Sequence, residues 1–370
     1  VANGLELTPI RVREITTGLA SGGVIRDIAH NRLSVIPPEL RYPLIRDVFY
    51  SGPISLKPEH FIVNSPDLGD TIFTLIGAKA RGAIIPSSDL LDLLERTHPQ
   101  KAWVAYAWMG PEESRTALSR HPEMLIQLSH ACLGNMPESI IPLLLNAATG
   151  DERPLNSTTE HPLRLIQDWI TSAWPGSKDV LLRRNVLLDS IARWLSDGGD
   201  SPVGLHALTF VFSPGFDRVT ADPGSGRSVT FSHGVVTPED LKGIGDLWPK
   251  AFEIIRVHGD SNWPHVLTII RDIAYPGPDV RINPEEFYKI GKAIITQMIK
   301  DVIRLANGHS AVLQKIKDIA ENKGIEIEVP LDKYFEILFP RERIENWETA
   351  HKQQMSAVEN LSKKLSGKNP

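Results

Sequence analysis

Apolar positions recur along most of this chain at spacings of three and four, and Pro, Gly or Asn breaks the rhythm roughly every ten residues. The spacing predicts short helices over 39–50, 67–80, 88–97, 100–109, 111–120, 122–133 and 137–148. Longer ones follow over 162–173, 178–197 and 202–212, then over 238–257, 262–274, 284–306, 309–323 and 344–366. The clearest is 284–306, where Asn283 caps, Pro284 opens the helix, and Phe287, Ile290, Ile294, Met298, Val302 and Leu305 form one stripe. Two segments depart from the helical period. Leu5, Leu7, Ile10 and Val12 alternate with polar residues as in a strand, with Pro9 interrupting, and a short helix is expected within 20–36. Phe216–Thr220 and Ser228–Ser232 read as two strands around the turn signal Asp222-Pro223-Gly224-Ser225-Gly226, a β-hairpin inserted among helices.

Seven Pro-Glu dipeptides mark where helices should begin: at Pro38, Pro58, Pro111, Pro122, Pro137, Pro238 and Pro284. Proline suits the first helical position because its missing N–H would be unpaired there, and a carboxylate in the first turn meets the positive end of the helix dipole. Helices this short cannot stand alone in water and need neighbours to pack on. An internal echo supports stacking: Trp248-Pro249 and Trp263-Pro264 are each followed, at one spacing, by Ile-Ile-Arg, ending at Arg256 and Arg271.

The polar, turn-rich run 151–161 divides the helices. The expected organisation is an N-terminal segment 1–37, a first helical array 38–150, a linker 151–161, and a second array 162–370 carrying the hairpin near 216–233. The chain of 370 residues, with 41% hydrophobic and 23% charged residues, has the composition of a globular protein with a proper core. A net charge of −5 argues against a general nucleic-acid binder. Cys132 is the single cysteine, which fits a reducing cytoplasm and leaves no CxxC zinc motif. No apolar run is long enough to cross a membrane, so no membrane association is expected. The first residues carry no signal-peptide pattern, and Val1 in place of Met suggests processing or tag removal, or a chain cut from a larger protein.

Candidate chemistry is sparse. The loop 221–228 has glycines but lacks the Lys and the following helix of a phosphate loop, and Asn185–Asp189, which looks like a Walker B strand, lies within a helical pattern. His121, His130 and Cys132 do not share a helix face. No G-x-S-x-G elbow is present, and a Ser139, His161, Asp168 triad is one free choice among many. Glu112-Glu113 and Glu285-Glu286 read as first-turn carboxylates rather than an acid–base pair. Trp103 and Tyr106 share a face for packing, while Trp108 points elsewhere. Neither catalytic residues nor a cofactor or metal site can be assigned. Trp248 and Trp263, just before Pro at helix starts, either staple one repeat onto the previous one or, with Arg256 and Arg271, are the candidate protein-binding residues, because Trp and Arg dominate interface energetics and solenoids bind along concave faces.

The serial Pro-opened helices and the doubled W-P-x4-I-I-R unit resemble a HEAT or armadillo-type α-solenoid. More loosely, the chain is similar to the helical C-terminal sensor regions of bacterial STAND-type NTPases. That resemblance implies a solenoid that senses a partner while an upstream NTPase switches; the NTPase loop itself is absent from these residues. The expectation is a mainly α chain of stacked short antiparallel helices. Its function would be that of a non-catalytic protein-interaction or sensor module in a larger cytoplasmic protein. The alternative is a hydrolase-like enzyme whose site is assembled from scattered residues between the two helical parts.

Overall fold

The computed structural model describes residues 8–29, 32–36, 38–50, 62–63, 68–99, 101–221, 229–260, 262–274, 284–306 and 308–328. Over these the protein is mainly α, and its contacts divide it into two compact units, Val1–Trp169 and Ile170–Pro370.

The first unit begins with α1 (Pro9–Ser21), where a strand-like alternation had suggested extended backbone. Pro9 is the reason: it takes the first helical position, and the Thr8 side chain caps the Arg11 N–H at 3.3 Å. The helix expected within 20–36 is instead an antiparallel hairpin, β1 (Ile25–Ala29) with β2 (Arg32–Val35), pairing Ile25 with Val35 and Asp27 with Leu33. Gly23, at φ 72°, ends the helical path before it, and the β-branched residues that follow favour strand. The expected helix 39–50 is broken into a 3-10 turn (Pro38–Leu40), α2 (Arg41–Ile45) and a π turn (Arg46–Tyr50). Pro43, inside it, has no N–H for a regular ladder.

From there the predicted rhythm holds: α3 (Leu68–Lys79), α4 (Ser87–Thr97), α5 (Ala102–Ala107), α6 (Pro111–Arg120), α7 (Leu125–Asn135, entered through a 3-10 turn at Pro122–Met124), α8 (Pro137–Thr149) and α9 (Pro162–Thr171). Contacts run between sequence neighbours, α4 on α5, α5 on α6, α6 on α7, α7 on α8. Six of the seven Pro-Glu dipeptides fall among the described residues, and each opens a helical element; Pro58-Glu59 lies outside them. The run 151–161 is irregular but tied down: Asp151 takes a two-pronged ion pair from Arg153, and the buried His161 accepts the Leu163 N–H at 3.1 Å to cap α9.

The second unit holds α10 (Lys178–Ser196), α11 (Ser201–Phe212), the hairpin β3 (Gly215–Ala221) and β4 (Val229–Val235), α12 (Pro238–Gly245), α13 (Trp248–His258), α14 (Trp263–Ala274), α15 (Pro284–Leu305) and α16 (Ser310–Asn322). Asn185–Asp189 sits inside α10, in helix as its spacing required. The hairpin is antiparallel and pairs Val219 with Phe231; its turn at 222–228 lies outside the described residues, as do Asn283 and the expected helix 344–366. A single helix over 238–257 was expected, and two are found. Pro249 explains the break, since its ring would meet the carbonyl of residue 245, where α12 stops. Packing here also skips along the chain, with α11 on α14, α12 on α15 and α14 on α16, so this unit is less serial than the first.

Candidate functional site

The two W-P units do occupy equivalent helical positions. Each Trp opens a helix, and Ala251, Ile254 and Ile255 of α13 are buried like Val266, Ile269 and Ile270 of α14. The tryptophans themselves are core residues: Trp248 is 3% exposed and Trp263 8%. Trp248 packs edge-on against Phe212 at 5.8 Å, lies 5.7 Å from Phe252, and donates its indole N–H to Asp301 Oδ2 at 3.0 Å. Trp263 lies 5.1 Å from the His309 ring, and its buried Nε1 finds no hydrogen-bond partner. Arg256 and Arg271 stay at the surface, each paired locally, Arg256 with Glu253 at 2.7 Å and Arg271 with Asp272 at 3.4 Å. The sequence-derived quartet is thus divided between core and surface, with no indole offered to a partner. Burial follows from where the helices pack, which the local sequence does not record.

Aromatic surface appears elsewhere, in the first unit. The α3 stripe buries Thr71, Ile72, Thr74, Leu75 and Ala78, and Phe73 falls off that stripe. Phe73 is 63% exposed, and its ring lies 6.4 Å from that of Trp108, itself 38% exposed just beyond α5. Trp103 and Tyr106 turn inward and meet edge-to-face at 6.4 Å. The signal that could have found the pair is modest: a large apolar residue out of phase with its helix, and a third aromatic out of phase with the other two.

Several buried polar groups are committed to internal contacts. Glu113, almost fully buried at the start of α6, accepts from Lys79 Nζ at 2.6 Å and Ser87 Oγ at 2.7 Å, joining α3, α4 and α6. Burial pushes its carboxyl up, but these hydrogen bonds outweigh it and the net pKa is lowered. Nearby, Ser114 donates to Ala107 O at 2.6 Å, and Asn135 Nδ2 donates to the same carbonyl at 2.9 Å. Burial raises the Cys132 thiol, opposed by a hydrogen bond with Ser114, so it is a poor nucleophile. In the second unit Asp240 closes the capping box of α12 with Thr237 and also accepts the Gly176 N–H at 2.6 Å. The neighbouring Arg184 is buried and donates to Ser213 O at 2.6 Å; burial lowers its pKa to about 10 against the pull of Asp240.

The imidazoles are spread out. His121 Nδ1 lies 2.8 Å from Glu123, and its ring 4.4 Å from Trp103. His206 and His265 stack at 4.9 Å across α11 and α14. Among the described residues no group of three His, Cys, Asp or Glu could hold a metal ion, and no helix is long and apolar enough to cross a membrane. No family model, curated protein or solved structure matches this chain.

Proposed function

We propose that this chain is a non-catalytic helical scaffold that binds a protein partner, using the first unit's exposed aromatic pair as its anchor. The observation that carries the reading is Phe73 against Trp108, both exposed, at 6.4 Å. The two rings, tilted by 43° to each other, leave apolar area in water that a partner would cover, and aromatic residues, Trp above all, anchor interfaces. The use of Glu113, Asp240 and Arg184 as internal clips supports a scaffold over an enzyme. The serial packing of α4 to α8 is compatible with a HEAT or armadillo-type array. A sensor role in a larger cytoplasmic protein, of the kind STAND-type NTPases carry, remains part of this proposal.

The test is affinity capture of the tagged chain from its host's lysate, with stoichiometry read by mass spectrometry. One protein retained in near-equal amount, and lost with Phe73→Ser or Trp108→Ser while Arg256→Ala and Arg271→Ala retain it, supports the reading. Retention that is indifferent to both aromatic substitutions removes it.

A further inference from the structure

We propose that Glu113 is the positioning residue of the aromatic pair, a carboxylate latch that holds the turn carrying Trp108 against the helix carrying Phe73. Its consequence for partner binding rests on the pair being the anchor; the latch itself is geometry within the first unit.

Phe73 lies on α3, whereas Trp108 sits in the turn between α5 and α6. Across that gap the two rings meet at 6.4 Å. A second contact crosses the same gap six residues further along α3, about 9 Å of helix axis, where Lys79 Nζ donates to Glu113 Oε1 at 2.6 Å. Ser87 Oγ, on the first residue of α4, donates to the same oxygen at 2.7 Å. Two contacts at separate points fix a helix against a turn, where one alone would let it pivot. The Glu113 side chain is 4% exposed, and charge-assisted hydrogen bonds of this length are the strong kind.

The turn is shaped to receive the carboxylate. Ser114 Oγ and Asn135 Nδ2 hold Ala107 O at 2.6 and 2.9 Å, and the Ser114 N–H holds Gly110 O at 2.9 Å, so both ends of the turn are tied down. A Cβ at Gly110 would stand 2.9 Å from Glu113 Oε2 and 3.7 Å from Lys79 Nζ, and the first distance is shorter than side-chain carbons tolerate. The carboxylate cannot swing aside without losing the two donors on Oε1. Glycine at 110 is what lets the turn close on the latch.

Glu112 supplies the contrast. It shares the first turn of α6, where either carboxylate meets the helix dipole, yet its side chain is 84% exposed and pairs with Arg115 on its own helix. A dipole role therefore requires neither the burial of Glu113 nor its two donors from α3 and α4.

The experiment is fluorine NMR of the full chain labelled with fluorotryptophan, the Trp108 signal being identified by its loss in Trp108→Phe. Phe73→Ser should displace that signal, because it removes a ring 6.4 Å away. In a Glu113→Gln background the displacement caused by Phe73→Ser should fall by about half or more, as it should with Gly110→Ala, while Glu112→Gln leaves it unchanged. A Glu113 that only stabilises the fold would lower the thermal midpoint and leave the displacement at its native size, and that result overturns the proposal. So would an equal fall in Glu112→Gln, or no displacement by Phe73→Ser in the native background. Should Glu113→Gln not fold, Gly110→Ala decides, together with Ser87→Ala, which removes one donor. Affinity capture separates the two claims. Retention indifferent to Phe73→Ser and Trp108→Ser removes the anchor and leaves the latch, whereas an undiminished displacement removes the latch and leaves the anchor.

Discussion

Two titratable residues, the buried Glu113 and the half-buried His265, give the protein an acid-sensitive stability, each through a different chemistry. Glu113 is held below the ordinary carboxyl value of about 4.3 despite its burial, because Lys79 and Ser87 bond its charged form. A depressed carboxyl contributes stability above its unfolded pKa and loses it as pH falls through the folded one. Glu113→Gln keeps the shape, removes the charge and leaves Lys79 without it, so unfolding by urea should show a loss of about 2 kcal/mol at pH 7. The loss should shrink below pH of about 4, where the native residue is also being neutralised. His265 works through desolvation alone: burial lowers its pKa, so the folded protein prefers it neutral. The unfolded chain binds its proton more readily, so stability falls as pH drops below about 6.5. His265→Phe, which preserves a ring against His206, should flatten the dependence of the urea midpoint between about pH 7.5 and 5.5. A variant that keeps the native slope would show that other groups carry it.

At the scale of elements, the start of α12 is the place where one substitution should loosen several helices. Thr237 caps Asp240 N–H, and Asp240 returns the bond, receives Gly176, and supplies the charge opposite Arg184 of α10. Thr237→Ala removes the cap and should cost about 1 kcal/mol. Asp240→Ala also leaves a buried guanidinium without its counter-charge, which should cost about 3 kcal/mol or more. Denaturant midpoints of both variants, and of Asp240→Ala combined with Arg184→Met, check this: the double variant should recover part of the loss. The start of α12 at Pro238 was legible in the sequence, as were nearly all the helix starts, because Pro and Glu at a first turn act within a few residues of themselves. Pro249 marks the break between α12 and α13 by its conflict with the carbonyl four residues earlier, a signal that the single helix expected over 238–257 ran through. What misled was ambiguity of the same local kind. Pro9 serves as strand interrupter or helix opener equally well, and only the Thr8 bond to Arg11 decides. The hairpin β1–β2 is shorter than the window over which a period can be counted. For Trp248 and Trp263 the sequence offered a packing role and a binding role and could not choose, because their cover comes from Phe212, Asp301 and His309, all distant in the chain.

For the whole molecule the division between core and surface aromatics separates two experiments that look alike. Trp248→Ala removes a buried indole packed on Phe212 and bonded to Asp301, and such truncations cost about 3–5 kcal/mol. Against a total stability of about 5–15 kcal/mol, that is enough to populate unfolded chain and to abolish any interaction indirectly. A binding defect in Trp248→Ala or Trp263→Ala would therefore report on folding. Phe73→Ser acts on a side chain already largely facing water, so its stability change should stay within about 0.5 kcal/mol, whereas Trp108, only 38% exposed, should cost more when truncated. Replacing an exposed ring by a hydroxyl leaves the α3 stripe of Ile72, Leu75 and Ala78 intact. Paired measurement of thermal midpoint and partner retention thus distinguishes the cases: core tryptophan variants should lose both together, and Phe73→Ser should lose retention alone. If Phe73→Ser instead lowers the thermal midpoint as far as Trp248→Ala does, the exposed pair belongs to this protein's own packing and the anchor must be sought elsewhere on its surface.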